Sequence, residues 1–182
     1  MKFFRDYFSD IAAKLNDVDV AELDRLAELF KSTQAAGGKV IFIGNGGSAA
    51  IASHVSVDLT KVGGVRTHNF NEADLLTCLA NDYGYEHWVE KALEFYATPG
   101  DLVVLISSSG RSPNIVNGAK AARALKLRPV TLSGFDADNP LRSLGDLNFW
   151  VNSRSYNVVE MTHHIWLLAA VDWIVASKEA RS

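Results

Sequence analysis

Over residues 3–35 the apolar positions recur at helical spacing, as Phe4, Phe8, Ile11 and Leu15 and then Val20, Leu23, Leu26, Leu29 and Phe30. The polar stretch at 16–19 (NDVD) interrupts the pattern and predicts two helices, the second ended by Gly37 or Gly38 in a left-handed cap. The pattern then changes period. Residues 40–44 (VIFIG) form a short continuous apolar run rich in β-branched side chains, as expected of a strand buried on both faces. The same reading applies to 101–107, 128–134 and 147–152, with 65–70 as an additional strand. Helices are predicted between them at 48–60, 83–97 and 113–125, with a short one at 139–144. The stretch 157–177 is apolar almost all round a helix, yet it carries Glu160, His163, His164 and Asp172.

Strands alternating with helices predict an α/β fold: a three-layer αβα sandwich around a mostly parallel five-stranded sheet. There is no linker, low-complexity run or internal repeat. The expectation is one domain over 1–182, with an N-terminal helical hairpin at 1–36 and an α/β core at 37–182 that ends in a long helix. A chain of 182 residues is long enough to bury a real core.

Charge and composition narrow the classes. The net charge is −3, with both signs mixed along the chain, and no basic stripe of the kind that tracks nucleic acid is present. The single cysteine, Cys78, lies in the apolar run LLTCLA and is read as a small buried hydrophobe, which fits a reducing cytoplasm. The first fifteen residues alternate charges with aromatics and lack the apolar core of a signal peptide. The stretch 157–177 approaches membrane-spanning length, but two acids and two histidines are expensive in lipid, so a core or oligomer helix is expected.

Two strand ends carry the chemistry. The first runs into Gly44-Asn45-Gly46-Gly47-Ser48 and directly into a helix. Glycines let backbone amides approach a ligand, and a helix N-terminus favours an anion. The loop has neither the spacing of a dinucleotide fingerprint nor the lysine of a P-loop. The second strand end places Ser107, Ser108, Ser109 and Ser112 ahead of Pro113, which suits the first turn of a helix. One serine would cap that helix. Four within six residues favour a neutral cradle for phosphate.

Together the stretches GNGGSAAIASHVSVDL, LANDYGYE and ISSSGRSPNIV resemble the sugar isomerase (SIS) domain. More narrowly they resemble the phosphoheptose isomerases, which convert sedoheptulose 7-phosphate to D-glycero-D-manno-heptose 7-phosphate. The resemblance covers nearly the whole chain and implies a flavodoxin-like SIS fold. It implies substrate contacts from Asn45, Gly46, Gly47 and Ser48, an Asn81-Asp82 pair near the sugar, and phosphate binding by Ser107, Ser108, Ser109 and Ser112. It also implies a homotetramer with sites between subunits.

The chain departs from that family at its zinc site. The family has a histidine and, four residues later, a glutamate on the first helix; here they are His54 and Asp58, a carboxylate one methylene shorter. In the family a glutamine followed by glutamate, and a histidine eight residues after the glutamine, complete the site. Anchoring on Glu160 puts Val159 and Leu167 at those two positions. With half of the ligand set lost no zinc is expected, and His54, Asp58 and His163 are the only three-ligand alternative. Val159, His163 and Leu167 share a helical face, so His163 is read as an acid/base residue pointing into the site and His164 as structural. The other reading of His163 is a core histidine satisfied by a backbone carbonyl. Arg111 is either a phosphate clamp or a solvent-facing loop residue, and His68 is either a surface residue or one that reaches a neighbouring subunit's site. His87 is expected to face solvent, and the four tryptophans to pack in the core or an interface.

The expected reaction is an aldose–ketose isomerisation of a phosphosugar. Ser48 and the serine cluster bind phosphate, Asp58 is the base, His163 its acid/base partner and Asp82 orients hydroxyls. No organic cofactor is required. Two other readings stand beside it: a non-catalytic SIS protein that binds a phosphosugar or a partner protein, and an isomerase of a different phosphosugar.

Overall fold

A computed structural model describes residues 2–180. Helices α1 (Lys2–Asn16) and α2 (Val20–Ala35) precede strand β1 (Val40–Gly44), and α3 (Gly47–Lys61) leads to the short β2 (Thr67–Asn69). Then follow α4 (Ala73–Tyr83), α5 (Trp88–Tyr96), β3 (Leu102–Ser107), α6 (Pro113–Ala124) and β4 (Arg128–Gly134). A 3-10 turn (Pro140–Ser143), β5 (Leu147–Val151) and the long α7 (Tyr156–Glu179) complete the described chain. All strand pairs are parallel, in the order β2-β1-β3-β4-β5. The α/β three-layer reading, the five strands and the break between the first two helices are therefore borne out.

The sheet buries both faces by simple alternation. Val40 and Phe42 of β1 and Leu102, Val104 and Ile106 of β3 pack on one side with α2, α3 and α7. Ile41, Ile43, Val103 and Leu105 point to the other side, against α5 and α6. At the lower edge, Asp101 is 1% exposed yet charged groups satisfy it. Burial alone would raise its pKa, but hydrogen bonds from the Lys39 ammonium and amide and from the Thr98 amide outweigh this and lower it.

Two expectations change in the region 73–97. The helix predicted at 83–97 is α5, which starts only at Trp88, after Gly84 adopts φ +90°, and α4 over Ala73–Tyr83 is a helix the pattern did not predict. The run LLTCLA is thus the middle of α4, a helix with only Leu79 buried. Cys78 is exposed rather than a core residue, with its thiol 3.7 Å from Asp82 Oδ2. The apolar run misled because only Leu79 of it is buried, while Leu75, Leu76 and Ala80 pack against the core partly exposed.

Helix α7 is long and apolar enough to cross a membrane by length and composition, and half of its most apolar stretch is buried inside the protein. It lies between the sheet and helices α1, α2 and α3. Trp166 donates its indole N–H to the Leu15 carbonyl at 3.1 Å, and Lys31 sits over the Trp173 ring.

His163 faces the sheet. It is fully buried, and its Nε2 lies 3.0 Å from the Ser133 carbonyl of β4, which only an N–H can satisfy. Its Nδ1 is buried without a partner. Burial pushes this imidazole down to about 4, with the Ser133 bond opposing the shift. The sign follows: the folded state holds the neutral ring, so the stability it contributes is full above about pH 6.5 and is lost as pH falls toward 4. The loss by pH 5 is about 2 kcal/mol. Denaturant unfolding of wild type at pH 7 and pH 5 should show that extra loss relative to H163Q, which keeps a donor for Ser133 but does not titrate.

Candidate active site

The parallel sheet brings the ends of β1 and β3 side by side, pairing Gly44 with Ile106. Each strand turns at that edge into a helix, so the two loops read from the sequence become neighbours. Gly46, at φ +54° and ψ −120°, takes a backbone conformation open to glycine, and α3 starts at the next residue. Asn45 is held by a reciprocal amide pair with Asn114 at 2.9 and 3.0 Å, and the Tyr85 hydroxyl donates to its Oδ1 at 3.2 Å. This fastens the β1 loop to α6.

Between the loops lies a pocket of ≈ 120 Å³ lined by Asn45, Ser48, the four serines 107, 108, 109 and 112, Tyr156 and Glu160. Ser107 donates to Ser112 across it at 3.1 Å. The pocket gathers every serine the sequence reading assigned to phosphate. It also holds a carboxylate that the reading did not assign. Glu160 accepts from the Ser108 hydroxyl at 3.2 Å, and it lies so close to Gly47 that a Cβ there would overlap its carboxylate. The signal was present: Glu160 was the anchor for the α7 register, but it was used only to place its neighbours.

Helices α3 and α7 run side by side and parallel from this point. Gly47 meets Glu160 at one end, and at the other the Lys178 ammonium donates to the Gly63 carbonyl at 2.6 Å. Midway, His54 Nδ1 lies 2.9 Å from His164 Nε2, with the rings edge to face. Asp58 Oδ2 lies 3.3 Å from the other His54 nitrogen, Nε2. Burial lowers the pKa of His164, the neighbouring His54 adds to that, and Asp58 opposes it.

The histidine assignment is therefore reversed. His163 is the core residue bonded to a backbone carbonyl, and it cannot act as the partner of Asp58. His164 is the residue that meets His54 and Asp58. The face shared by Val159, His163 and Leu167 packs inward, and all three are fully buried. A helix rotates about 100° per residue, so the next position faces α3.

This geometry does not fit the zinc site of the resemblance. Val159 and Leu167 have no ligand atoms and lie in the core. His54 turns one nitrogen to His164 and the opposite nitrogen to Asp58, so the three side chains form a chain of contacts and do not converge on one point. Among the described residues, no group of three His, Cys, Asp or Glu side chains is arranged to hold a metal ion. The three-ligand alternative with His163 fails because that ring is turned to the sheet.

Other assigned residues lie apart. Asn81 and Asp82 are exposed on α4, where the Asn81 amide bonds Asp82 at 3.0 Å, and neither lines the pocket. Arg111 pairs with Asp136 and Asp138 at 3.4 and 3.7 Å instead of reaching into the pocket. His87 pairs with Glu90 at 2.9 Å. His68 lies on the edge strand β2 and packs against Phe70 and Tyr96, where burial pushes its pKa down.

Comparisons with known proteins agree with this architecture. The profile of the SIS domain matches residues 4–134. The phosphoheptose isomerase of Aliarcobacter butzleri is 32% identical over 159 residues, which covers 83% of this chain and 82% of that protein. The phosphoheptose isomerase of Serratia proteamaculans is 36% identical over 135 residues, 70% of either chain. The solved structure of phosphoheptose isomerase GmhA from Neisseria gonorrhoeae superposes with a TM-score of 0.86 at 28% identity, over 95% of this chain and 97% of that one. With the profile over residues 4–134 and superposition over 95% of its length, the chain belongs to the SIS-domain family and, within it, groups with the phosphoheptose isomerases.

Proposed function

We propose that the chain is an aldose–ketose isomerase of a phosphosugar and that its substrate is sedoheptulose 7-phosphate. One observation carries the reading: the spacing along α3 and α7 from the serine pocket to the His54–His164 contact suits a heptulose phosphate. Ser48 to His54 is six residues along α3, about 9 Å, and Glu160 to His164 is one turn of α7, about 6 Å. An extended seven-carbon chain places its phosphorus about 9–10 Å from C1. A phosphate held by the serines therefore brings C1 and C2 to the cluster.

The pocket supplies hydroxyl donors and no cation. Glu160 repels a dianion from its own side and leaves the phosphate to Ser107, Ser109 and Ser112. Anchoring this remote group orients the reacting carbons. At the cluster a base removes a proton from C1, and the C–H electron pair forms the C1=C2 bond of an enediolate as the carbonyl oxygen takes the charge. The O1 proton passes to O2, and the base, its proton exchanging with solvent in the interval, delivers a proton to C2 and leaves the C1 aldehyde. The substrate's own carbonyl acidifies the proton, so no organic cofactor enters. Val159 and Leu167 at the two ligand-matching positions support a reaction that needs no zinc.

Exposed Val57, Met161 and Ile165 flank the cluster, and α1 exposes Phe3, Phe4 and Phe8. These apolar side chains support the homotetramer implied by the resemblance, with another copy covering the cluster and bringing polar residues such as Asn81 and Asp82 toward a site. The cytoplasm remains the expected compartment.

Two measurements test this function. Hydrogen bonds to charged groups are worth about 1.5–3 kcal/mol each, so Ser109→Ala with Ser112→Ala should weaken sedoheptulose 7-phosphate binding at least tenfold in calorimetry. Unchanged affinity would contradict the phosphate assignment. Turnover of sedoheptulose 7-phosphate should survive dialysis against a strong chelator, with the metal content of the same sample read by mass spectrometry. Stoichiometric zinc whose removal abolishes turnover would contradict the zinc-free reading.

A further inference from the structure

The direction of the one hydrogen bond in the cluster follows from its surroundings. A carboxylate disfavours a lone pair beside it, so the His54 tautomer with its proton on Nε2, 3.3 Å from Asp58 Oδ2, is the lower in energy. A neutral imidazole has one N–H, which leaves His54 Nδ1 as an acceptor. Its neighbour at 2.9 Å, His164 Nε2, must then be the donor. With its one proton on Nε2, His164 is left with a bare lone pair on Nδ1, and Nδ1 has no hydrogen-bond partner among the described residues. The chain of contacts thus has a closed end at Asp58 and an open end at His164.

We infer that His164, through Nδ1, is the base that takes the C1 proton, with His54 and Asp58 aligned behind it. This inference rests on the isomerase reading. His164 lies one turn along α7 from Glu160, which lines the phosphate pocket, so its ring is on the substrate side of the cluster. His54 bonds His164 through one nitrogen and sets the other against Asp58, and Asp58 stands ten residues beyond Ser48, about 15 Å along α3, beyond the span from phosphorus to C1. When Nδ1 takes the proton, the imidazolium keeps its Nε2–H bond to His54, and the Asp58 carboxylate stabilises the added charge through that ring. The proton then leaves from the same Nδ1 to C2, so the chain ends in its starting state. The half-buried position of His164 and its exposed neighbours Met161 and Ile165 give it an apolar rim, which favours a neutral ring at rest.

The test combines kinetics with a direct view of the rings. His164→Ala and His164→Gln should each lower kcat by about 10²–10⁴-fold with KM changed by less than about tenfold. The glutamine variant keeps a donor near His54 but has no basic nitrogen, so its failure to restore kcat separates base work from ring support. Added imidazole should restore part of the His164→Ala activity. In wild type, 15N NMR of labelled histidine should show His54 and His164 both protonated on Nε2, with His164 Nδ1 bare. Full kcat in His164→Gln, or a His164 ring protonated on Nδ1 and bare on Nε2, overturns the inference while leaving the isomerase reading intact. A wild-type chain that turns over no sugar phosphate overturns both.

Discussion

The parallel contact between α3 and α7 is the constraint on which the site depends. At one end Gly47 admits the Glu160 carboxylate where any side chain would exclude it. At the other, Lys178 caps the Gly63 carbonyl. Fixing both ends fixes what meets between them, and the residues that meet are His54 and His164. The same approach closes one wall of the serine pocket, since Glu160 reaches Ser108 across the gap. A shift of α7 by one residue about its axis would turn His163 toward α3 and bury His164 against β4. The pairing of phosphate pocket and histidine cluster is thus one packing decision seen at two heights along the helices.

The core enforces that decision. Val159, His163 and Leu167 fill the inward face of α7, and His163 anchors the register with its bond to the Ser133 carbonyl. A buried polar group is costly unless paired, so this one bond penalises rotation of the helix. His163 is in this sense the reason that His164 faces the site. With Val159 and Leu167 at the positions that match the family's ligands, no group of three ligand side chains among the described residues is arranged for a metal ion, and His54 meets Asp58 and His164 there instead.

Much of this was legible in the sequence. Period and composition located the strands to within a residue or two, because a parallel sheet buried on both faces leaves uninterrupted apolar runs. The serine cluster was legible because four hydroxyls at one strand end exceed what a helix cap needs. The phase of α7 was not. A helix apolar almost all round has no polar stripe to mark its outward face, so adjacent histidines cannot be told apart until the neighbouring helix is in place. Cys78 failed for the opposite reason, since an apolar run on a peripheral helix promised full burial, and only Leu79 has it. Asn81 and Asp82 were named from resemblance, and in one chain they lie on an exposed helix away from the pocket.

The central claim is proton transfer between C1 and C2 of a heptulose phosphate by side chains of this chain. Turnover of sedoheptulose 7-phosphate in deuterated water, with the product read by NMR, tests it most directly. The account predicts a heptose 7-phosphate carrying solvent deuterium at C2, from exchange at the base during the lifetime of the enediolate. No conversion, or conversion into a product with no deuterium at C2, would contradict it.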